Sequence, residues 1–303
     1  MRLAFATHRA LPQLSEDDRL AASELRQQGV AVESAVWDSP LVDWTRYDVV
    51  VLRSTWDYHD RAAQYAGWLA QLERLGVPTL NPAPLVRWNM DKRYLVDLAE
   101  RGVDIVPSVV LERGTVVTLA QVADAEGWDA LVYKPAVSAS GVRTAQVAAV
   151  DRPAHEAPFA ALLGERDMIV QPFVPAILER GEWSLVFLGG QFSHAVRKRA
   201  RPGEFRVQSE FGGTVHDDVP RPALVTWAES VVAHVPPPCC FARVDACEWE
   251  GAPVLMELVD PELFLAHHPL APRRLATAVR SLAGGRRTPG AVTPRSVTPP
   301  SGA

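Results

Sequence analysis

The run Val49-Val50-Val51-Leu52 constrains the fold more than any other stretch of this chain. Four consecutive apolar residues do not alternate, so a strand made of them is apolar on both faces and has to be covered on both. Strands of that kind belong to parallel sheets flanked by helices. The neighbouring pattern agrees. Residues 2–6 and 30–36 read as two further strands. A helix fits residues 15–28, entered through Ser15 with Asp18 three positions on as a capping box, and closed by Gly29. A second helix fits residues 61–75 and stops at Gly76 and Pro78. The alternation predicts a small α/β domain over residues 1–82.

In open α/β sheets, ligands bind just outside the carboxyl ends of strands. The segment that follows the apolar run carries Arg53, Trp56, Asp57 and Tyr58. Arg53 is a planar cationic fork suited to a carboxylate and Asp57 suits an ammonium, so these four are candidates for holding a small polar substrate. The same aromatics would equally serve as a packing corner between domains.

A second chemically loaded stretch covers residues 131–141. Leu131-Val132-Tyr133 delivers Lys134 at a strand end, and Pro135 stops the ladder because it has no N–H to donate. Ser138, Ser140 and Gly141 then form a small-residue loop. Its backbone N–H groups and hydroxyls can approach a polyphosphate while Lys134 supplies charge, although a surface turn would read the same way. Downstream, Asp245 lies on one apolar strand, and Glu257 and Asp260 end another. Hard oxygen ligands on strand ends suit Mg²⁺, which bridges carboxylates to phosphates. Taken together, the lysine loop and the acidic strand ends favour a nucleotide–metal site over scattered surface charge.

Composition narrows the classes. With 303 residues, 48% of them hydrophobic, the chain can build two or three cores. A net charge of −5 argues against nucleic-acid and anionic-membrane partners, which call for a basic footprint. No apolar run approaches the ~18 residues of a membrane span, and the N-terminal apolar segment is too short for a secretory signal. A cytoplasmic location is expected, with a homo-oligomer left open. Cys239, Cys240 and Cys247 are odd in number and suit buried thiols in a reducing compartment. A zinc site with His234 as the fourth ligand is disfavoured by the prolines at 236–238. The P-loop, dinucleotide and kinase-loop signatures are all missing.

The remaining elements form two more units. Residues 83–170 read as a small α+β lobe, with a helix over 91–101 that carries Lys92 near its start. Residues 171–282 read as a second lobe. It begins in a strand over 168–174 whose central Pro172 predicts an edge or hinge, and contains a hairpin turning at Gly189-Gly190. A closing helix fits 270–282, and residues 283–303, rich in Gly, Pro, Thr and Ser, are expected to be a disordered tail.

In that order the motifs resemble the ATP-grasp superfamily of carboxylate–amine ligases, in the glutathione-synthetase-like branch that includes the cycloserine-forming cyclo-ligase. The resemblance is carried by Asp91-Lys92-Arg93-Tyr94, Tyr133-Lys134-Pro135, Gln171-Pro172-Phe173-Val174, Gly181-Glu182-Trp183-Ser184, Gly203-Glu204-Phe205-Arg206, Ala242-Arg243-Val244-Asp245 and Glu257-Leu258-Val259-Asp260. It implies a Rossmann-like first domain followed by two lobes clasping ATP. It also implies that Lys92 and Lys134 meet nucleotide phosphates, that Gln171, Phe173 and Val174 meet adenine, and that Glu179 or Glu182 meets ribose. Lys198 and Arg206 match the family's flexible catalytic loop, and Asp245, Glu257 and Asp260 match its ligands for two Mg²⁺ ions. The chain departs from common members in having Gln208 two residues after the loop arginine, and Val259 where a metal-binding asparagine is usual.

The implied reaction joins a carboxylic acid to an amine on amino-acid-like substrates. The γ-phosphoryl group of ATP moves to the carboxylate, and the amine attacks the acyl phosphate. Intramolecular closure of a cyclic amide and an inactive ATP-binding scaffold are the alternatives.

Overall fold

The computed structural model describes residues 1–258 and 261–284, and three sheets organise them. The first contains β1 (Arg2–Thr7), β2 (Ala31–Val36), β3 (Val49–Ser54) and β4 (Thr79–Leu80), all parallel in the order β2-β1-β3-β4. Every residue of β3 is buried, as its unalternating sequence requires. Helix α1 (Glu16–Gln27) packs on one face, while α2 (Ala62–Arg74) covers the other with Tyr65, Trp68 and Leu69 against Trp37 and Trp44.

Ser15 does cap α1, accepting from the Asp18 N–H at 3.1 Å. The reciprocal half of the capping box is not made. Asp18 turns inward, where it accepts from Arg53 Nε at 2.7 Å and from the Ser54 hydroxyl.

The stretch after the first domain differs from its sequence reading. A helix absent from that reading, α3 (Ala83–Met90), comes first, and the helix read over 91–101 is present but shorter, as α4 (Tyr94–Glu100). Pro82 and Pro84 sit at the entry of α3, where the missing N–H groups have no helical partner to lose. The break comes at Asp91, which is extended and accepts from the Arg93 N–H at 2.9 Å. Lys92 therefore lies in the turn between the helices, its N–H donating to the Ala136 carbonyl at 2.8 Å.

The second sheet is antiparallel. It is built from β5 (Val109–Leu111), β6 (Leu131–Pro135), β7 (Ala145–Val147) and β8 (Met168–Pro172) in the order β5-β8-β6-β7. Helices α5 (Leu119–Glu126) and α6 (Arg152–Glu165) cover it, with Phe159 and Leu163 in the core. Contrary to the edge reading, β8 is an interior strand. Its proline is terminal, opposite Leu131, so no interior ladder bond is lost. The boundary expected at 170/171 falls inside β8.

The third sheet follows α7 (Ala176–Arg180). Strands β9 (Glu182–Leu188), β10 (Gln191–Arg199), β11 (Thr214–His216), β12 (Phe241–Trp249) and β13 (Ala252–Leu258) run antiparallel in the order β11-β10-β9-β12-β13. Gly189 and Gly190, with φ of 61° and 81°, make the two-residue turn between β9 and β10. Helix α8 (Pro222–Val232) covers one face, and α9 (Ala271–Gly284) packs on α1, so the first and last parts of the chain share one core. Among the described residues no helix is long and apolar enough to cross a membrane. The tail expected over 283–303 lies, beyond Gly284, outside the described residues.

Candidate active site

Between the second and third sheets runs a cleft that gathers most of the charged residues read from the sequence. Strand β6 sends in Lys134, the α3–α4 turn Lys92, β9 Glu182, β12 Asp245 and β13 Glu257. At the other end lie Gln171, Phe173 and Val174, where β8 leaves its sheet. The larger surface groove between the β9–β10 hairpin and α9 contains none of the candidate residues.

Two buried ammonium groups meet on one carboxylate oxygen. Lys92 Nζ and Lys134 Nζ each lie 3.5 Å from Glu257 Oε1. Burial by itself would raise the Glu257 carboxyl, but Lys92 and Lys134, aided by Arg243 and Lys198, hold it at about 2. For Lys134 burial dominates, and with Lys92 beside it the ammonium falls below its ordinary value despite Glu257. Asp245 stands opposite Glu257 in the β12–β13 ladder. It accepts from Arg243 at 2.8 and 2.6 Å and from Ser184 at 2.6 Å, with Lys198 Nζ 3.4 Å away. Those cations outweigh burial and keep Asp245 below the usual carboxylate range. Glu182, buried against Lys198, is raised by burial.

Lys198 is thus placed differently from its sequence reading. It is not on a flexible loop but on β10, buried and paired with Glu182 and Asp245, behind the residues that line the cleft. Arg206 does lie in the loop between β10 and β11 and lines the cleft. Glu179 lies apart from the cleft. It is exposed on the short helix α7 and lines a different depression, with Glu248 and Trp249, because the turn at Gly181 separates it from Glu182.

In the small-residue loop, Ser138 and Gly141 line the cleft and Ser140, in the left-handed region at φ 52°, does not. The Ser138 hydroxyl donates to the Pro135 carbonyl at 2.9 Å, and its own carbonyl accepts from Lys92 Nζ at 2.7 Å, so this residue shapes the loop. Gln208, read from the sequence as the residue two after the loop arginine, also lines the cleft, and Thr144 and Met256 line it without a prior sequence signal.

A second pocket continues from the cleft past Lys92 and Glu257 to the carboxyl end of β3. Its walls are Leu52, Trp56, Tyr58, Tyr65, Met90, Tyr94 and Phe241, with Thr55 and Asn89 as polar points. Of the four substrate candidates, Trp56 and Tyr58 line it. Arg53 and Asp57 do not. Arg53 is 2% exposed and ion-paired to Asp18, while Asp57 accepts from Trp37 Nε1 at 2.8 Å and pairs with Arg61. The proposed amino-acid clamp is therefore absent from this geometry, since each half already has a partner inside the first domain. Tyr94 also lines the pocket, its hydroxyl accepting from the Leu258 N–H at 2.9 Å, and it follows Lys92 by two residues in the same motif.

Comparison with known proteins gives the family. Residues 3–81 match the family model described as the N-terminal domain of the D-cycloserine synthetase DcsG. Over 281 residues, 84% of this chain and 89% of that protein, the sequence is 33% identical to the cycloserine biosynthesis protein DcsG of Streptomyces lavendulae. The chain belongs to the DcsG family. The crystal structure of D-cycloserine synthetase DcsG superposes with a TM-score of 0.83 at 27% identity, covering 93% of this chain and all of that one. A RimK-domain ATP-grasp protein from Sphaerobacter thermophilus shares the fold, with a TM-score of 0.71 at 20% identity over 93% and 98% of the two chains. The ATP-grasp fold expected from the motifs is thus present, with the DcsG-type first domain in front of two lobes.

Within this DcsG-family cleft the donor set fits magnesium bound to phosphate. Asp245 and Glu257 offer hard carboxylate oxygens on paired strands, held ionised by the surrounding cations. Asp260, the third expected ligand, lies outside the described residues, and among the described residues no cluster of three metal-ligating side chains forms by itself.

Proposed function

We propose that this chain activates the carboxylate of an amino-acid-like substrate with ATP and joins it to an amine, releasing ADP and phosphate. The observation that carries the reading is the meeting of Lys92 and Lys134 on a single Glu257 oxygen. Two buried ammonium groups on one carboxylate leave positive charge in excess, and a polyphosphate is the ligand that matches it. ATP-dependent formation of a C–N bond is the activity of the family.

In this reading Lys92 and Lys134 bind phosphate oxygens, while Gln171, Phe173 and Val174 flank the adenine and Glu182 is left as the ribose contact. Lys198 and Arg206 neutralise charge on the transferring phosphoryl group. Asp245 and Glu257, with Asp260, would hold two Mg²⁺ ions, which when bound shield the phosphates and polarise the γ-phosphoryl group. The acid lies in the adjoining pocket against Trp56 and Tyr58, its carboxylate toward Lys92. In this reading the chemistry needs no covalent nucleophile from the protein. Rate enhancement comes from alignment and charge neutralisation. The unpaired thiols of Cys239, Cys240 and Cys247, each pushed up to about 12 by burial, suit a reducing cytoplasm.

Kinship with DcsG over 84% of the chain favours a second reading, in which acid and amine belong to one molecule and the product is a cyclic amide. The two separate in one experiment. Amino-acid-like compounds are offered singly and in pairs, with ADP release and product mass recorded. Intermolecular ligation yields the summed masses of two reactant molecules less water, twice one compound's mass less water where that compound serves as both. Cyclisation runs on one compound and yields its mass less water. ATP bound with no ADP released from any compound would contradict both.

A further inference from the structure

The loop joining β10 to β11 crosses the cleft from the adenine end to the small-residue loop. Phe205 meets Phe173 edge-on at 6.3 Å between ring centroids. At the other end Gly141 approaches so closely that a Cβ there would lie 3.2 Å from Arg206, Gln208 and Phe211. The loop closes on itself at its neck, where a Cβ on Gly213 would fall 2.0 Å from the Val207 carbonyl oxygen. Inside this frame Arg206 is held on two sides. Glu204 Oε1 accepts from Arg206 Nε at 3.0 Å and Oε2 from Nη2 at 2.7 Å, while the guanidinium carbon lies 3.5 Å from the Phe211 ring centroid. Glu204 is itself fixed to the backbone. Its Oε1 also accepts the N–H groups of Phe205 and Arg206 at 2.9 and 3.1 Å. These bonds, those from Arg206 foremost, hold its carboxyl at about 2, so it is ionised throughout the neutral range. Nη1 is the guanidinium nitrogen for which Glu204 provides no acceptor.

We propose that Glu204 is the positioning residue for Arg206, gripping the Nε–Nη2 edge against Phe211 so that Nη1 is presented to the γ-phosphoryl group. The inference rests on the reading of Arg206 as a phosphate-facing residue. A guanidinium on a surface loop would otherwise sample many rotamers, and fixing one edge and one face removes that entropy before the nucleotide arrives.

Calorimetric titration with Mg²⁺ and either AMP-PNP or ADP tests it, using wild type, Glu204→Gln, Arg206→Ala and the double variant. Glutamine keeps the Oε1 acceptor and loses the bond to Nη2. Glu204→Gln is expected to weaken AMP-PNP about tenfold and ADP by less than about twofold, since only the former carries a γ-phosphoryl group. The double variant should bind no more weakly than Arg206→Ala, because Glu204 acts through that arginine. A loop merely loosened would weaken both ligands alike, which would contradict the proposal. So would unchanged or tighter AMP-PNP binding by Glu204→Gln while Arg206→Ala is impaired. If Arg206→Ala itself binds AMP-PNP as wild type does, the phosphate-facing reading of Arg206 falls, and the positioning role falls with it.

Discussion

Glu257→Gln is expected to lower ADP release by roughly 10²–10³-fold at limiting Mg²⁺, with partial recovery at high Mg²⁺. The substitution preserves size and shape, so the loss would be electrostatic. Glu257 is the carboxylate on which Lys92 and Lys134 both close, at 3.5 Å each. As an amide it can neither carry the charge a hard divalent cation requires nor balance two buried ammonium groups. The same change should alter the acid limb of stability. With its carboxyl held at about 2 against an ordinary 4.5, Glu257 stabilises the fold above pH ~4.5, and that contribution disappears as pH falls through about 2. Thermal midpoints measured between those values should therefore fall less steeply in Glu257→Gln than in wild type. Normal turnover of the variant at low Mg²⁺ would return Glu257 to the status of strand-end charge.

The largest stability effect is expected at Asp18. Asp18→Ala removes one partner from a fully buried pair in which Arg53 is 2% and Asp18 1% exposed. Uncompensated burial of the remaining guanidinium costs about 3–5 kcal/mol. Arg53 Nη1 already lacks a partner in its buried position, so no second acceptor stands ready. The Ser54 hydroxyl loses its acceptor in the same step. Urea unfolding of Asp18→Ala should show a lowered midpoint, while AMP-PNP affinity, measured well below that midpoint, should match wild type because the pair lies outside the cleft. Intact stability with a raised KM for the acid substrate would instead restore Arg53 as a substrate clamp.

That pair marks the limit of what the sequence discloses here. Local signals were strong where one residue's backbone preference decides the outcome. The unalternating Val49–Leu52 run requires a doubly covered strand, Gly189-Gly190 a tight hairpin, and Pro135 the end of the β6 ladder. The cleft was legible because Lys92, Lys134, Asp245 and Glu257 stand in the order of the motifs that carry the family resemblance. Side-chain partners distant in sequence were not legible. Asp18 fits a capping box by spacing, yet it lies 35 residues from the arginine it meets across the first domain. Lys198 reads as part of a basic loop, and only its pairing in β10 turns it toward Glu182 and Asp245. Glu179 and Glu182 are three residues apart and equivalent on paper. The left-handed Gly181, whose Cβ would fall 2.4 Å from the Lys198 carbonyl, sends them to different surfaces.

The central claim is that the Lys92–Lys134–Glu257 convergence is the phosphate site of ATP. Titrating AMP-PNP with Mg²⁺ into wild type, Lys92→Ala and Lys134→Ala by calorimetry tests it most directly, with circular dichroism confirming that each variant is folded. Wild type should bind one equivalent, and each variant should bind at least about tenfold more weakly, the loss expected for one charge-assisted contact. Affinity unchanged in both folded variants would contradict the account.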